Sequence, residues 1–373
     1  MNPMNPTNPK KGSVPCPGQH PLPALPALSA LANRYRMTHC NNNFRSDMPS
    51  LRARLTNAFL RLGTKRRWRP DLDIHLTRDR VRRMDARLSG RGSSVAVEEI
   101  DAGGVPAAWH GERSLSGTLL YLHGGAWCLH LPGTYRRLAA RLSALTGLRV
   151  LLLDYRLAPE HPFPAAVDDC FAAYRWLVDQ GYADRPLAIA GDSAGGSLTL
   201  VTMMRARDAS LPLPACAALL SPSTDLTMSG PSIDYNERAD PMFANAALTL
   251  LPDLYCPGVA RSHPWLSPLF GQWQGLPPLL FQAGSTEMLL DDSVRAHDRA
   301  IAAGVDARIK VWPGLPHVAP LFTVMPEAHR ALGEIAAFIV DHTAARTPVP
   351  AVEANPAVTL AGRPVIEEAR SAS

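Results

Sequence analysis

Leu187-Ala188-Ile189-Ala190-Gly191-Asp192-Ser193-Ala194-Gly195-Gly196-Ser197-Leu198 is the stretch on which the fold turns. Four apolar residues in a row suit a strand buried on both faces, and Ser197–Arg207 continues at helical spacing. Between them stands G-x-S-x-G, which acquires meaning only in such a strand-to-helix context. The chain must reverse sharply there, holding Ser193 in a strained backbone conformation that presents its Oγ at the sheet edge. Gly191 and Gly195 remove side chains that would collide as strand meets helix. The helix N-terminus favours a developing negative charge beside the hydroxyl. A bland glycine-rich turn would explain the spacing alone, but not the buried strand and the helix on either side of it.

Working outward, the same alternation repeats. Short apolar runs at Leu119–Leu122, Val150–Leu153, Cys216–Leu220, Leu279–Phe281 and Ala307–Val311 read as buried strands. Helical stretches fall at Tyr135–Leu145, Ala165–Asp179, Ser293–Ala303 and Pro326–Asp341. Val95–Ile100 and Val105–Trp109, joined at Gly103-Gly104, predict an antiparallel opening pair. The fold class is therefore α/β, with a mostly parallel central sheet flanked by helices. Ligands in such sheets sit outside the carboxyl ends of the strands, so the residue after each strand is the one to inspect.

After Tyr121-Leu122 comes His123-Gly124-Gly125-Ala126-Trp127. A serine that attacks a carbonyl needs amide donors for the oxyanion, and bare glycine backbone allows close approach. Gly124 and Gly125 are candidates for two donors, with the Ala194 amide as a third. His123 reads as a hydrogen-bonding residue that shapes the loop rather than as a base. This loop, the segment Asp154-Tyr155-Arg156-Leu157-Ala158-Pro159-Glu160-His161-Pro162-Phe163-Pro164, and Gly191-Asp192-Ser193-Ala194-Gly195-Gly196 together resemble the hormone-sensitive-lipase-like branch of the α/β-hydrolase fold. The resemblance spans about residues 90–343. It implies a helical cap and a serine carboxylesterase without cofactor or metal. One departure is Ala126, where the family usually has a third glycine.

A serine hydroxyl needs a base, and this fold supplies its triad in the order serine, acid, histidine. Of His263, His297, His317, His329 and His342, only His317 follows a strand, in Pro313-Gly314-Leu315-Pro316-His317, ahead of the last helix. The acid should follow Leu279–Phe281, where the loop contains Glu287, Asp291 and Asp292. The family commonly has D-x-L-x-D there with the first carboxylate catalytic, so the resemblance implies Glu287, with Asp291 as the alternative. Asp291 and Asp292 are otherwise explained as helix N-terminal caps. Residues 221–262 are polar and proline-punctuated, as a cap insertion would be, and Trp127, Met242, Phe243 and Leu290 are candidate pocket walls; each is equally accounted for by packing.

The ends differ in kind. Residues 1–32 are rich in proline, as is the tail 344–373, and both read as disordered extensions. Residues 33–92 are assigned to a helical cap segment, leaving 93–220 and 263–343 as the hydrolase core. Within 51–92, thirteen arginines and lysines face only four acids, above an apolar set Leu51, Leu55, Phe59, Leu60 and Leu62 at helical spacing. The expectation is that this stripe packs on the domain beneath a solvated basic face; weak contact with an anionic membrane surface is the alternative. Net charge is +5 over 373 residues, too diffuse to call for nucleic acid. Six cysteines without CxxC spacing suggest buried thiols and a cytoplasmic setting, against a proline-broken imitation of a signal peptide before Ala32. No membrane span is expected, and a homodimer is left open. Other acyl-transfer activities (lactonase, amidase, deacetylase) and a non-catalytic ligand-binding relative are the competing functions.

Overall fold

A computed structural model describes residues 48–89, 96–115 and 117–344. The proline-rich assignments for 1–32 and the tail beyond 344 lie outside the described residues, as do Cys16, Cys40 and Arg91. The eight strands are β1 (Val97–Asp101), β2 (Pro106–His110), β3 (Thr118–Leu122), β4 (Arg149–Leu153), β5 (Leu187–Asp192), β6 (Ala217–Leu220), β7 (Leu279–Gly284) and β8 (Ala307–Trp312). They form one sheet in the order β1-β2-β4-β3-β5-β6-β7-β8. β1 pairs antiparallel with β2 and β2 with β4, and every later pairing is parallel. Every residue of β3, β5, β6 and β7 is buried, whereas the edge strand β1 alternates, as neighbours on both sides or on one require.

The core helices are α3 (Pro132–Thr146), α4 (Ala165–Asp179), α5 (Ala194–Asp208), α8 (Leu290–Ala302) and α9 (Pro326–Ala344). Strand alternation divides the interior in two. Leu119 and Tyr121 point to a layer that includes Tyr135 and Leu142 of α3 and Ile335 and Ile339 of α9. Leu120 and Leu122 point to the opposite layer with Cys170 and Leu177 of α4 and Leu198 and Val201 of α5. α3 starts with a proline in its first turn and stops at Gly147, left-handed at φ 68°.

The N-terminal segment holds α1 (Leu51–Gly63) and α2 (Ile74–Ser89). The Asp85 carboxylate on α2 accepts from the Gly133 amide at 2.7 Å and the Thr134 amide at 2.9 Å, supplying from a distance the cap that Leu131 cannot give α3. The expected packing of the apolar stripe is corrected here. Of the five residues, only Leu60 is buried; Leu51, Leu55, Phe59 and Leu62 face solvent, and α1 rests on the domain through Ala53 and Leu60. Ala53 packs with Trp312, Leu315 and Met325. A small residue lets the helix approach closely, which hydrophobic spacing alone does not reveal.

Residues 221–262 carry α6 (Ser232–Tyr235) and α7 (Asn245–Tyr255). This insertion and the N-terminal segment meet. Trp68 Nε1 donates to the Met242 carbonyl at 3.0 Å, Arg61 to that of Ala239 at 2.9 Å, and Lys65 to those of Glu237 and Asp240.

Candidate active site

Ser193 stands between β5 and α5 at φ 52°, ψ −120°, a conformation costing an L-residue about 1–3 kcal/mol. Its amide donates to the Leu220 carbonyl at 2.8 Å, and its carbonyl accepts from the Ser223 amide at 3.1 Å, so β6 and the loop after it hold the strain in place. A Cβ on Gly195 would run into the carbonyl oxygens of Leu122 and His123 at the end of β3. The turn can close this tightly only without side chains there.

Ser193 Oγ lies 2.9 Å from His317 Nε2, and His317 Nδ1 lies 2.8 Å from Glu287 Oε2. The other carboxylate oxygen of Glu287 accepts from Ser221 Oγ at 2.8 Å and from the Gly284 amide. Ser221 Oγ in turn accepts from the Val318 amide at 3.0 Å. All three principal side chains are buried. The loop after β7 turns back through the Glu287 amide, which donates to the Gly284 carbonyl at 3.2 Å, and from there the glutamate side chain reaches the imidazole. Burial would depress the His317 pKa, but the Glu287 carboxylate outweighs it, aided by Asp240 and Asp192, and the net direction is upward. The arrangement can draw a proton from the hydroxyl while holding the resulting imidazolium opposite a carboxylate.

The loop after β3 corrects one expectation. The Gly124 amide is already engaged, with Tyr135 Oη at 2.9 Å and Asp192 Oδ1 at 3.0 Å. Among the described residues, the amides of Gly125, Ala126 and Ala194 have no such partner. The free pair is thus displaced by one residue from Gly124 and Gly125, to Gly125 and Ala126. Gly125 at φ 123°, Ala126 at 51° and Trp127 at 57° show a backbone turned hard to expose those groups. His123 is structural, as expected: its Nδ1 lies 2.7 Å from the Gly124 carbonyl, and its ring stacks on Tyr155 at 4.2 Å. Burial drives its pKa down to about 3, so it stays neutral.

Comparisons with known proteins bear on the fold and the family. Residues 119–321 match the model of a family described as having the α/β-hydrolase fold. An acetyl-hydrolase of Streptomyces hygroscopicus is 40% identical over 242 residues, covering 64% of this chain and 81% of that protein. An esterase of Acinetobacter venetianus is 36% identical over 255 residues, covering 68% and 84%. A crystal structure of an esterase from the bacterial hormone-sensitive lipase family superposes with a TM-score of 0.74 at 36% identity, over 79% of this chain and 99% of that one. The chain belongs to the hormone-sensitive-lipase-like family of α/β-hydrolases.

Within this hydrolase the alternative acid, Asp291, is turned away from the histidine. Its Oδ2 accepts from the Ser232 amide at 2.7 Å, and Tyr235 Oη donates to Oδ1 at 3.3 Å. Asp292 accepts from the Thr224 and Asp225 amides at 2.6 and 2.9 Å. Both acids occupy the first turn of α8, but they fasten residues 224–235 rather than cap their own helix, which corrects the capping explanation. His263, His297, His329 and His342 lie elsewhere: His297 is 3.0 Å from Asp298, and His342 is 2.8 Å from the Phe338 carbonyl.

The candidate walls divide. Phe243 sets its ring 4.9 Å from that of His317, edge on at 64°. Trp127 is buried and stacked on Tyr255 at 4.5 Å. Met242 is half-buried against the core, and Leu290 is half-buried at the start of α8. Sequence reasoning missed three supporting groups. Asp192, the x of the elbow motif, accepts from Tyr135 Oη at 2.8 Å, Tyr121 Oη at 3.0 Å and the Gly124 amide, and burial pushes its pKa up to about 6 against those bonds. Asp240 accepts from the Met242, Phe243 and Met288 amides, at 2.7, 3.0 and 2.8 Å. Ser221, directly after β6, had a legible signal in its position at a strand's carboxyl end.

Metal binding finds little support. Among the described residues, His123, His130 and Asp154 bring ligand atoms within 4.8 Å of one another. The two imidazoles are stacked 4.2 Å apart at 11°, so their lone pairs run side by side instead of converging on a tetrahedral ion. A cleft of about 1020 Å³ near them is lined by Arg78, Arg82 and Arg136 but also by Glu99, Asp101, Asp154 and Glu160. That balance selects no ligand charge, and Ser193 is not part of its wall.

Proposed function

We propose that the protein is a serine carboxylesterase acting through an acyl-enzyme. The observation that carries this reading is the unbroken hydrogen-bonded line from Ser193 Oγ through His317 to Glu287. His317 Nε2 takes the hydroxyl proton as Oγ attacks the ester carbonyl. The oxyanion develops opposite the amides of Gly125, Ala126 and Ala194, at the positive end of α5. His317 then gives its proton to the leaving alcohol, and water releases the acid by the same steps reversed. Lactonase, amidase and deacetylase readings share this machinery and differ only in the group expelled. A non-catalytic relative is disfavoured by the complete set of three side chains.

The finer readings are proposals of the same kind. The N-terminal helices and residues 221–262 form a cap whose Phe243 closes over His317, with Trp127, Met242 and Leu290 as further wall residues. Short acyl chains are favoured, a reading supported by that buried setting and by the relative named an acetyl-hydrolase. p-Nitrophenyl esters of increasing chain length test both points together. The expected result is a burst of one equivalent of p-nitrophenol, with kcat/KM falling as the acyl chain lengthens; turnover without a covalent adduct on Ser193 would defeat the mechanism.

The pH profile follows from the sign of one shift. Protonated His317 cannot accept the Ser193 proton, so activity is lost as pH falls through the histidine's pKa. Because the net shift is upward, the acid limb of kcat/KM should lie above the ordinary value of about 6.5. In Glu287→Gln, burial is left without its main counter-charge, and the limb should move down from its position in the parent. A limb that stays put would separate Glu287 from the histidine.

Among the described residues, no helix is long and apolar enough to cross a membrane. Cytoplasmic residence remains a proposal, supported among the described residues by free, buried Cys128, Cys170 and Cys256. A homodimer is likewise a proposal, open to sedimentation measurement, and membrane-surface contact is developed next.

A further inference from the structure

α1 carries two opposed faces. Ala53 and Leu60 are buried, and Asn57 Nδ2 donates to the Gly314 carbonyl at 2.9 Å, so the inner face already has its partners. On the outer face Leu51 is 68% exposed, Leu55 61%, Phe59 64% and Leu62 59%. At 3.6 residues per turn these four fall within an arc of about 80°. Arg52 borders that arc on one side and Arg54 on the other, where Arg61 is held to the Ala239 carbonyl. The helix, LRARLTNAFLRLG, contains no acid, and Arg66 and Arg67 follow Thr64 and Lys65, the lysine being tied to the Glu237 and Asp240 carbonyls.

We propose that this outer face docks on an anionic lipid surface. An apolar ridge flanked by guanidinium groups on both sides matches a layer of acyl chains beneath a layer of phosphates. The ridge enters the boundary, and the arginines reach sideways to the headgroups while their stems stay over hydrocarbon. Cluster and charge act together, since apolar burial and attraction to anionic lipid add. A second copy of this chain fits less well, because an isologous pairing of two such faces would set arginines against arginines. The inner face ties the helix to Gly314, three residues before His317, so docking brings the catalytic loop to the lipid boundary. The proposal does not depend on the acyl-transfer chemistry.

Flotation of the full chain at low salt tests it, with vesicles of phosphatidylcholine alone and of equal parts phosphatidylcholine and phosphatidylglycerol. Binding to the mixed vesicles is expected to be at least about tenfold tighter, and to weaken with added salt. The double substitution Leu55→Ser with Phe59→Ser should reduce that binding by at least about tenfold, while turnover of p-nitrophenyl acetate in solution and the melting temperature stay as in the parent. Arg52→Gln with Arg54→Gln should weaken binding and flatten its salt dependence. The proposal is overturned if the full chain floats with neither vesicle, or if the serine double variant floats as the parent does. A parent dimer that this variant dissociates, without vesicle binding, would reassign the face to contact between copies.

Discussion

Ser193→Ala is expected to lower kcat by about 10⁶ while leaving the fold intact. Among the described residues, the hydroxyl is the only nucleophile that His317 reaches, so its removal leaves only water attack aided by binding and the oxyanion amides. The strained backbone at φ 52° burdens alanine as it burdens serine, since both carry a Cβ. The one side-chain hydrogen bond lost is that to His317, and stability should change by no more than about 1 kcal/mol. Ester hydrolysis and thermal unfolding followed on the same sample check both halves. His317→Ala should cost a comparable factor, and the double variant little more than either alone, because the two side chains act as a unit. A Ser193→Ala enzyme as fast as the parent would end the reading.

The second large effect separates two carboxylates four positions apart. Glu287→Gln should lower kcat by about 10⁴, since an amide cannot offset the imidazolium and can reverse the hydrogen bond that sets the histidine tautomer. Asp291→Asn should leave kcat within a few-fold of the parent. Its cost is structural: the buried carboxylate accepting from Ser232 and Tyr235 loses charge-assisted bonds, and stability should fall by about 1–3 kcal/mol. Steady-state rates and denaturant midpoints for both variants check the contrast. The opposite pattern, an active Glu287→Gln and a dead Asp291→Asn, would transfer the acid role to Asp291.

Most of the sheet was legible because its central strands are buried on both faces, which writes them as continuous apolar runs. Leu187–Ala190 and Leu119–Leu122 are such runs, and the strand-to-helix setting of Ser193 followed from them. His317 was legible because it alone among the later histidines follows a strand. Contacts between distant residues were not. Nothing local to Gly124 indicates that the Asp192 carboxylate and Tyr135 hydroxyl engage its amide, which moves the free donors one residue on. The spacing of Leu51, Leu55 and Phe59 identifies a helix with an apolar side, yet not which side meets the protein; that depends on Ala53 fitting against Trp312 and Leu315. Helix α2 falls within the helical segment assigned to 33–92, yet its own limits were hidden by its arginines, because a heavily charged segment shows little apolar periodicity. Asp292, and Asp240 in its bond to the Met288 amide, serve remote backbone amides, and no sequence neighbour betrays such a bond.

The Asp192 side chain, joined at once to the elbow, to two tyrosines and to the glycine loop, stitches the ends of two adjacent strands. Attacking group and anion cradle therefore keep their alignment as one rigid block and cannot drift apart piecemeal. On heating, such an enzyme should retain nearly full potency per folded molecule up to the cooperative melting of its sheet, so that inactivation tracks the population of intact molecules instead of a gradual blunting of each one.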